Sequence, residues 1–258
     1  MNLKRPCRRP PRKWAGRLSS SIVIMTWMLL LWPGQVRAGE IRDVQTLAPL
    51  VGKIIQSVVG IKATTETAAV SRSIDTGPGL PNGPSPATKD VYGAGVIIKA
   101  ESGLIVTSNH VVSGAKTLSV RLPDGRQLDA RFVVADERYD LAMLRISASG
   151  LTAARIGRSI DAEPGDFVLA VGGSSGLTQS ISFGIVSALH RSWPGIPCQD
   201  LIQTDALLGR GSAGGPLFNL RGEVIGIVAA STGETESERA FGLAVPSDAI
   251  DRLYIRMN

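Results

Sequence analysis

The chain has two histidines, and one of them, His110, stands in "GLIVTSNHVVSGA", at the end of an apolar strand-type run and just before a turn of small residues. A histidine placed there is near a surface yet has apolar walls, which suits a general base working near neutral pH. The same placement also fits a histidine that only packs. Further along, Asp140 in "DERYDLAMLRI" is the last polar residue before an apolar strand. A carboxylate there is partly buried and could hold an imidazole in one tautomer, or simply cap the strand. The third feature is "GRGSAGGPLF", Gly209 to Phe218. Gly211, Gly214 and Gly215 allow a tight turn whose backbone N–H groups point inward, the arrangement of an oxyanion hole. A plain hairpin turn would use the same residues.

Other reactive side chains fit less well. "GGSSG", residues 172–176, has the Gly-x-Ser-x-Gly form with Ser174 at its centre. The nucleophile elbow of that form needs a strand before it, a helix after it, and an acid and then a histidine later in the chain. Here "LTQSISFGIVSAL" follows and reads as strand, and His190 precedes the candidate acids Asp200 and Asp205. His190 itself, in "SALHRS", reads as a loop histidine without a catalytic role. Cys198 is the only cysteine beyond the first 38 residues, because Cys7 lies within them, so no internal disulfide is expected. In the turn-rich "WPGIPCQD" it reads as a small, partly buried side chain. No ligand cluster for a metal or an organic cofactor is visible, and none is expected.

These residues must be held by elements, and the elements read as β. "IRDVQTLAPLVGKIIQSVVGIKA" begins at Ile41 as a short amphipathic helix and runs into a strand around residues 57–62. Residues 64–90 are rich in Gly, Pro, Ser and Thr, with almost no large apolar side chains, and read as a long mobile loop. From Tyr92 onward short β-rich runs such as "AGVIIK", "LIVTS" and "TLSVRL" alternate with turn signals such as "ESG" and "PDG". A second set runs from "DFVLAVG" to "FGLAV". Many short, evenly punctuated strands predict an all-β fold, and the Ala/Gly/Ser-rich break around residues 147–165 divides it into two β-barrels, about 41–147 and 165–246. The tail "SDAIDRLYIRMN" predicts a short C-terminal helix with Ser247 as its N-cap.

Charge removes one class of function. The formal net charge is +6, but residues 1–38 hold eight Lys/Arg and no acid, which leaves 20 basic against 22 acidic side chains in the remainder. The basic character belongs to the leader, so nucleic-acid binding is not expected. The leader has a long positive start, an apolar core "SIVIMTWMLLLW", and "PGQVRA" with Val36 and Ala38 at the positions a signal peptidase reads. Residues 1–38 therefore read as a secretory signal cut after Ala38, leaving 39–258 as the mature domain. An uncleaved membrane anchor is the alternative. Arg8-Arg9 is ordinary leader charge rather than a twin-arginine signal, since Pro10 and Pro11 follow.

Taken in order, "GAGVIIK…GLIVTSNHVV", "DGRQLDARFVVADERYDLAMLRI", "GIVSAL", "IQTDA", "GGPLFNLRGEVIGI" and "FGLAVPS" closely resemble the HtrA (Deg) group of trypsin-like serine proteases. The resemblance spans about Ile41 to Asp251. It implies a chymotrypsin-type double β-barrel with the active site between the barrels, and a bacterial envelope location, periplasmic or otherwise exported, which agrees with the leader. It places the catalytic base on His110, its carboxylate partner on Asp140, and the oxyanion-hole donors on Gly211 and residue 213. In the family that loop usually reads Gly, a polar residue, Ser, Gly, Gly, Pro. Here the polar residue is Ser212 and the nucleophile position holds Ala213.

That departure sets the functional expectation. Ser212 is an unlikely substitute, because efficient attack needs placement within about 0.5 Å and a shift of one residue moves an atom by several ångströms. Loss of the nucleophile costs roughly a factor of 10⁶ in turnover. The expectation is a pseudoprotease that keeps a cleft for an extended or unfolded polypeptide and acts as a scaffold, a regulator, or a partner of an active paralogue. The alternative is an active endopeptidase, either through Ser212 or because Ala213 replaces a natural serine. Leu207, six residues before Ala213, stands where an acid would select Arg or Lys, so the specificity pocket should favour small or medium apolar side chains. Gly209-Arg210 stands where better-known members have Asn-Pro. The family commonly trimerises through N-terminal segments, here residues 41–60, so a homotrimer or hetero-oligomer is implied. Members usually carry one or two PDZ domains after the protease domain, and with the sequence ending at Asn258 none is expected here.

Overall fold

The structure is a computed structural model and describes residues 46–67, 87–173, 179–209, 211–231 and 241–257. The leader, the start of the helix expected from Ile41, and the centre of the loop expected at 64–90 lie outside these residues. The described chain from Leu47 onward is one compact unit.

Apolar residues at alternate positions of short segments place one face of each strand inward, and the segments pair into two sheets. The first contains β1 (Val58–Thr67), β2 (Ala87–Lys99), β3 (Leu104–Ser108), β4 (Thr117–Arg121), β5 (Gln127–Asp129), β6 (Arg131–Asp136) and β7 (Leu141–Arg145), in the order β5-β4-β1-β2-β3-β7-β6. The second contains β8 (Arg155–Ile156), β9 (Phe167–Gly172), β10 (Ser180–Arg191), β11 (Leu201–Thr204), β12 (Pro216–Asn219), β13 (Glu223–Ser231) and β14 (Gly242–Pro246), in the order β12-β9-β10-β11-β14-β13-β8. Pairing of β12 with β13 closes this second sheet into a barrel. The fold is all-β, a trypsin-like double β-barrel with short terminal helices.

Some strands are buried on both faces, and their alternation shows why. Leu104 and Val106 of β3 and Leu141 and Met143 of β7 join Leu169 and Val171 of β9 and Phe218 of β12 in a core shared by the two sheets. The intervening Ile105, Ala142 and Leu144 point the other way, into the first barrel. Val168 and Ala170 of β9 face the interior of the second. Each of these strands thus serves two cores, so their sequences read as continuous apolar runs rather than strict alternation.

Helix α1 (Ala48–Ile54) starts with Pro49 in its first turn, where a missing N–H costs nothing. It runs through a 3-10 turn (Ile55–Ser57) into β1. Helix α2 (Asn109–Val112) is a single turn after β3. Helix α3 (Ile250–Met257) lays Ile250 and Leu253 onto the core shared by the sheets. The side chains around α3 hold it against the first barrel. Lys99 Nζ lies 4.6 Å from the Tyr254 ring centroid and the Arg252 guanidinium 4.9 Å from that of Tyr139. Arg256 Nε lies 3.2 Å from the buried carboxylate of Asp136.

The structure differs from the sequence reading in three places. Residues 64–67 and 87–90, expected in the loop, extend the β1–β2 hairpin with Thr64 opposite Asp90 and Thr67 opposite Ala87. A run of β-branched threonines suits an exposed strand whose backbone is paired. Asp90 fastens it by accepting from Thr64 Oγ1 at 2.8 Å and pairing with Lys62 at 3.0 Å. The expected break at 147–165 contains β8, which pairs in parallel with β13, so the second sheet begins at Arg155 rather than at 165. Ser247 does not cap α3. Its hydroxyl donates to the Gly157 carbonyl at 2.8 Å, and a 3-10 turn (Ser247–Ala249) leads into the helix.

Because Leu253 is fully buried in the shared core, Leu253→Ala should destabilise the domain by about 2–5 kcal/mol. Urea unfolding measures this. A loss below about 1 kcal/mol would mean that α3 is not part of the cooperative core.

Candidate active site

His110 is placed by what flanks it. Val111 and Val112, its neighbours in α2, are buried in the first barrel and leave the imidazole half-exposed, at 49%. Asp140 sits in the turn between β6 and β7 with φ +52, a left-handed conformation that Asp adopts more readily than most residues. That turn presents three acceptors to α2. The Asp140 carbonyl accepts from Asn109 N–H at 2.8 Å, Oδ1 accepts from His110 N–H at 2.9 Å, and Oδ2 lies 2.5 Å from His110 Nδ1. The Asp140 side chain is 12% exposed. With the carboxylate on Nδ1, the imidazole proton belongs on that nitrogen and Nε2 is left as the acceptor, the tautomer a general base needs. Among the described residues Nε2 has no hydrogen-bond partner.

The loop from Gly211 to Gly215 is tied to both barrels. On one side the Ala213 carbonyl accepts from Ala94 N–H of β2 at 2.8 Å. On the other, Gly214 N–H donates to the Val228 carbonyl of β13 at 2.7 Å and Val228 N–H donates to the Gly215 carbonyl at 2.8 Å. Gly214 has φ +82, and a Cβ there would collide with Thr107 Oγ1 and the Ala94 carbonyl. Glycine is the one residue that satisfies both demands. The N–H groups of Gly211 and Ala213 have no backbone partner among the described residues.

Ser212 and Ala213 leave this loop in different directions. A Cβ built on Gly172, at the end of β9, would lie 2.7 Å from Ser212 Cα and 2.7 Å from its Oγ. The Ser212 side chain therefore lies over the second barrel, in space kept open by that glycine. The Ala213 methyl packs instead with the first-barrel cluster that includes Val111 and Val112, the two residues beside His110.

The remaining candidates fall outside this arrangement. Leu207 is 74% exposed, and its N–H donates to Ser182 Oγ at 2.7 Å. Its neighbour Leu208 is buried against Gly242, so the expected pocket wall is turned to solvent. His190 is not in a loop but near the end of β10, at φ +56, with Nδ1 2.6 Å from Asp200 Oδ1. Cys198 is 2% exposed, and burial pushes its thiol pKa up, away from a reactive thiolate. Ser174 lies outside the described residues, and the strand expected after it is β10. Among the described residues no group of three or more His, Cys, Asp or Glu could hold a metal. Two features went unseen in the sequence, Gly172 and Ser108, whose hydroxyl donates to the Val228 carbonyl at 2.9 Å. Neither carries a local signal, because each matters only through a partner distant in sequence.

Comparison with known proteins agrees with this geometry. Residues 93–227 match the trypsin-like peptidase domain family. The chain belongs to that family. It is 38% identical over 224 residues to the periplasmic pH-dependent serine endoprotease DegQ of Escherichia coli strain K12, which covers 84% of this chain and 48% of DegQ. To the periplasmic serine endoprotease DegP of the same strain it is 34% identical over 277 residues, covering 93% of this chain and 58% of DegP. The chain spans about half the length of these curated relatives. A solved serine-to-alanine variant of the HtrA-type protease AlgW with a decapeptide matches with a TM-score of 0.73 and 32% identity, over 82% of this chain and 66% of that one. This is thus a trypsin-like domain of the HtrA type, in which the loop between the barrels is "GSAGGP".

Packing of Ser212 on Gly172 gives a direct check. Gly172→Ala in this trypsin-like domain should lower stability by about 1–3 kcal/mol through overpacking. Gly209→Ala, where an added Cβ meets nothing within 4 Å, should change it by less than about 0.5 kcal/mol. Equal effects in urea unfolding would contradict the contact.

Proposed function

We propose that this HtrA-type trypsin-like domain is a pseudoprotease: it holds extended or unfolded polypeptide in the cleft between its barrels and does not cleave it. One observation carries the reading. The His110–Asp140 contact is in place at 2.5 Å, yet the loop that presents two unpartnered N–H groups carries a methyl, Ala213, on the side of the first barrel. His110 takes the role of general base and Asp140 holds its tautomer. Gly211 and Ala213 supply the oxyanion donors, and Ala213 stands at the nucleophile position. Ser212, packed over Gly172, does not replace it. Leu207, turned to solvent, does not supply the apolar pocket wall expected of it.

The same parts explain why a polypeptide is the ligand. Donors aimed at a carbonyl oxygen bind a peptide group whether or not it reacts, and the last residues of β13, 229–231, which among the described residues pair only with β14, offer a free edge for β-augmentation. The similar HtrA-type protease AlgW was solved with a decapeptide, which supports a peptide as the ligand class. The leader and the periplasmic relatives support an envelope location. A homotrimer or a hetero-oligomer with an active paralogue follows from the family resemblance, with no nucleic acid involved. No helix among the described residues is long and apolar enough to cross a membrane, and a membrane contact would come from an uncleaved leader.

The test is casein cleavage by the chain from Gly39 beside its Ala213→Ser variant. The native chain should be silent and the variant active. Asp140→Asn added to the variant should then lower kcat by about 10⁴. Cleavage by the native chain that Ser212→Ala abolishes would instead establish Ser212 as a displaced nucleophile.

A further inference from the structure

A cavity beside the loop has no role in the chemistry above. It lies in the groove where β2 and β1 of the first barrel meet the end of β9 in the second, and Tyr92, Lys62, Arg121, Gln127 and Gly173 line it. Strand register explains its walls. Tyr92, Lys62 and Ser119 are mutual partners across β2, β1 and β4, so their side chains share one face of the sheet. Gly60 and Arg121 are partners in the next row, and Arg121 pairs on its other side with Gln127 of β5. Gly60 has no side chain to fill the row, which leaves a floor of bare backbone between Lys62 and Arg121.

The cavity reaches the strand that holds the loop. Gly93, which also lines it, stands between Tyr92 and Ala94, the residue that receives the Ala213 carbonyl. A Cβ on Gly93 would lie 3.0 Å from that carbonyl oxygen. The cavity thus lies one residue along β2 from the N–H that holds the Ala213 carbonyl, a step that a bound polypeptide can span.

Its charge selects a ligand. The lining contains two cations and no acid. Lys62 is held by Asp90 at 3.0 Å, and the nearest acid on the β4–β5 side is Asp129, whose register partner is Ser119. Arg121 has no ion pair or hydrogen bond among the described residues. Gln127 donates its amide to Ser119 Oγ at 2.8 Å, which leaves its side-chain carbonyl free and its N–H partly committed. A free guanidinium, a phenol and an open backbone floor suit a carboxylate, which a guanidinium binds through paired N–H donors.

We infer that this cavity is a subsite for a carboxylate on the bound polypeptide, supplied either by an acidic side chain or by the chain terminus, with Arg121 as its specificity-determining residue. The inference rests on the peptide-binding reading of the cleft. An acidic residue here gives a polypeptide its register relative to Ala213, and the half-exposed setting keeps the preference modest and salt-sensitive.

The test is fluorescence anisotropy with the native chain at low salt, using fluorescein-labelled ten-residue peptide pools that share a random apolar core. Three pools differ only at the C-terminal end: two Glu with an amidated terminus, two Gln with an amidated terminus, and two Gln with a free terminus. A carboxylate-bearing pool should bind about two- to fivefold tighter than the amidated Gln pool, and which of the two does so identifies the source. Arg121→Gln should abolish the difference between the pools. Arg121→Glu should reverse the preference toward a pool ending in Lys. Equal binding of all three pools by the native chain would overturn the subsite and leave the peptide-binding cleft standing. Binding of no pool would overturn the cleft, and the subsite with it.

Discussion

Two donors from different parts of the chain converge on the carbonyl oxygen of Val228. Gly214 N–H reaches it at 2.7 Å and Ser108 Oγ at 2.9 Å. Ser108 ends the strand that leads into the helix of His110, and Gly214 follows Ala213. One acceptor on β13 therefore fixes the base-bearing element and the reacting loop against each other. The Ala94–Ala213 hydrogen bond closes the same joint from the first barrel. Buried polar groups satisfied in this way resist displacement, because leaving one unpaired costs about 1–3 kcal/mol. The backbone of the loop at residue 213 is held by bonds that any side chain there would leave in place.

The backbone frame of the loop is therefore compatible with either a serine or an alanine at residue 213. A serine and an alanine at this position differ by one oxygen, and the loop is held by backbone bonds alone. The His110–Asp140 contact is likewise made from below, by the turn that carries Asp140, and needs nothing from residue 213. Alanine at residue 213 lacks the hydroxyl oxygen that a serine there would carry. On the proposed reading, Arg121, whose guanidinium has no partner among the described residues, adds a charge preference to the peptide-binding groove.

Much of the fold was legible in the sequence because its signals are local. Continuous apolar runs between Gly and Asp turns mark the doubly buried strands, and "NHVV", "DERYD" and "GSAGGP" each lie on one short element. What the sequence concealed was relational. The outward turn of Leu207 is set by Ser182, which holds its backbone N–H from another strand. Ser247 reads as a cap, yet its hydroxyl is taken by Gly157 across the barrel. The short strand at Arg155 has no propensity to announce it, since its pairing with β13 does all the work. The direction of Ser212 is visible only once Gly172 is placed beneath it.

The central claim is an intact cleft that lacks an activated serine. Labelling with a fluorophosphonate, followed by intact-mass measurement, tests it without a choice of substrate. No adduct is expected on the native chain, and a single adduct on Ala213→Ser, located at residue 213. A single adduct on the native chain, mapped to Ser212, would contradict it.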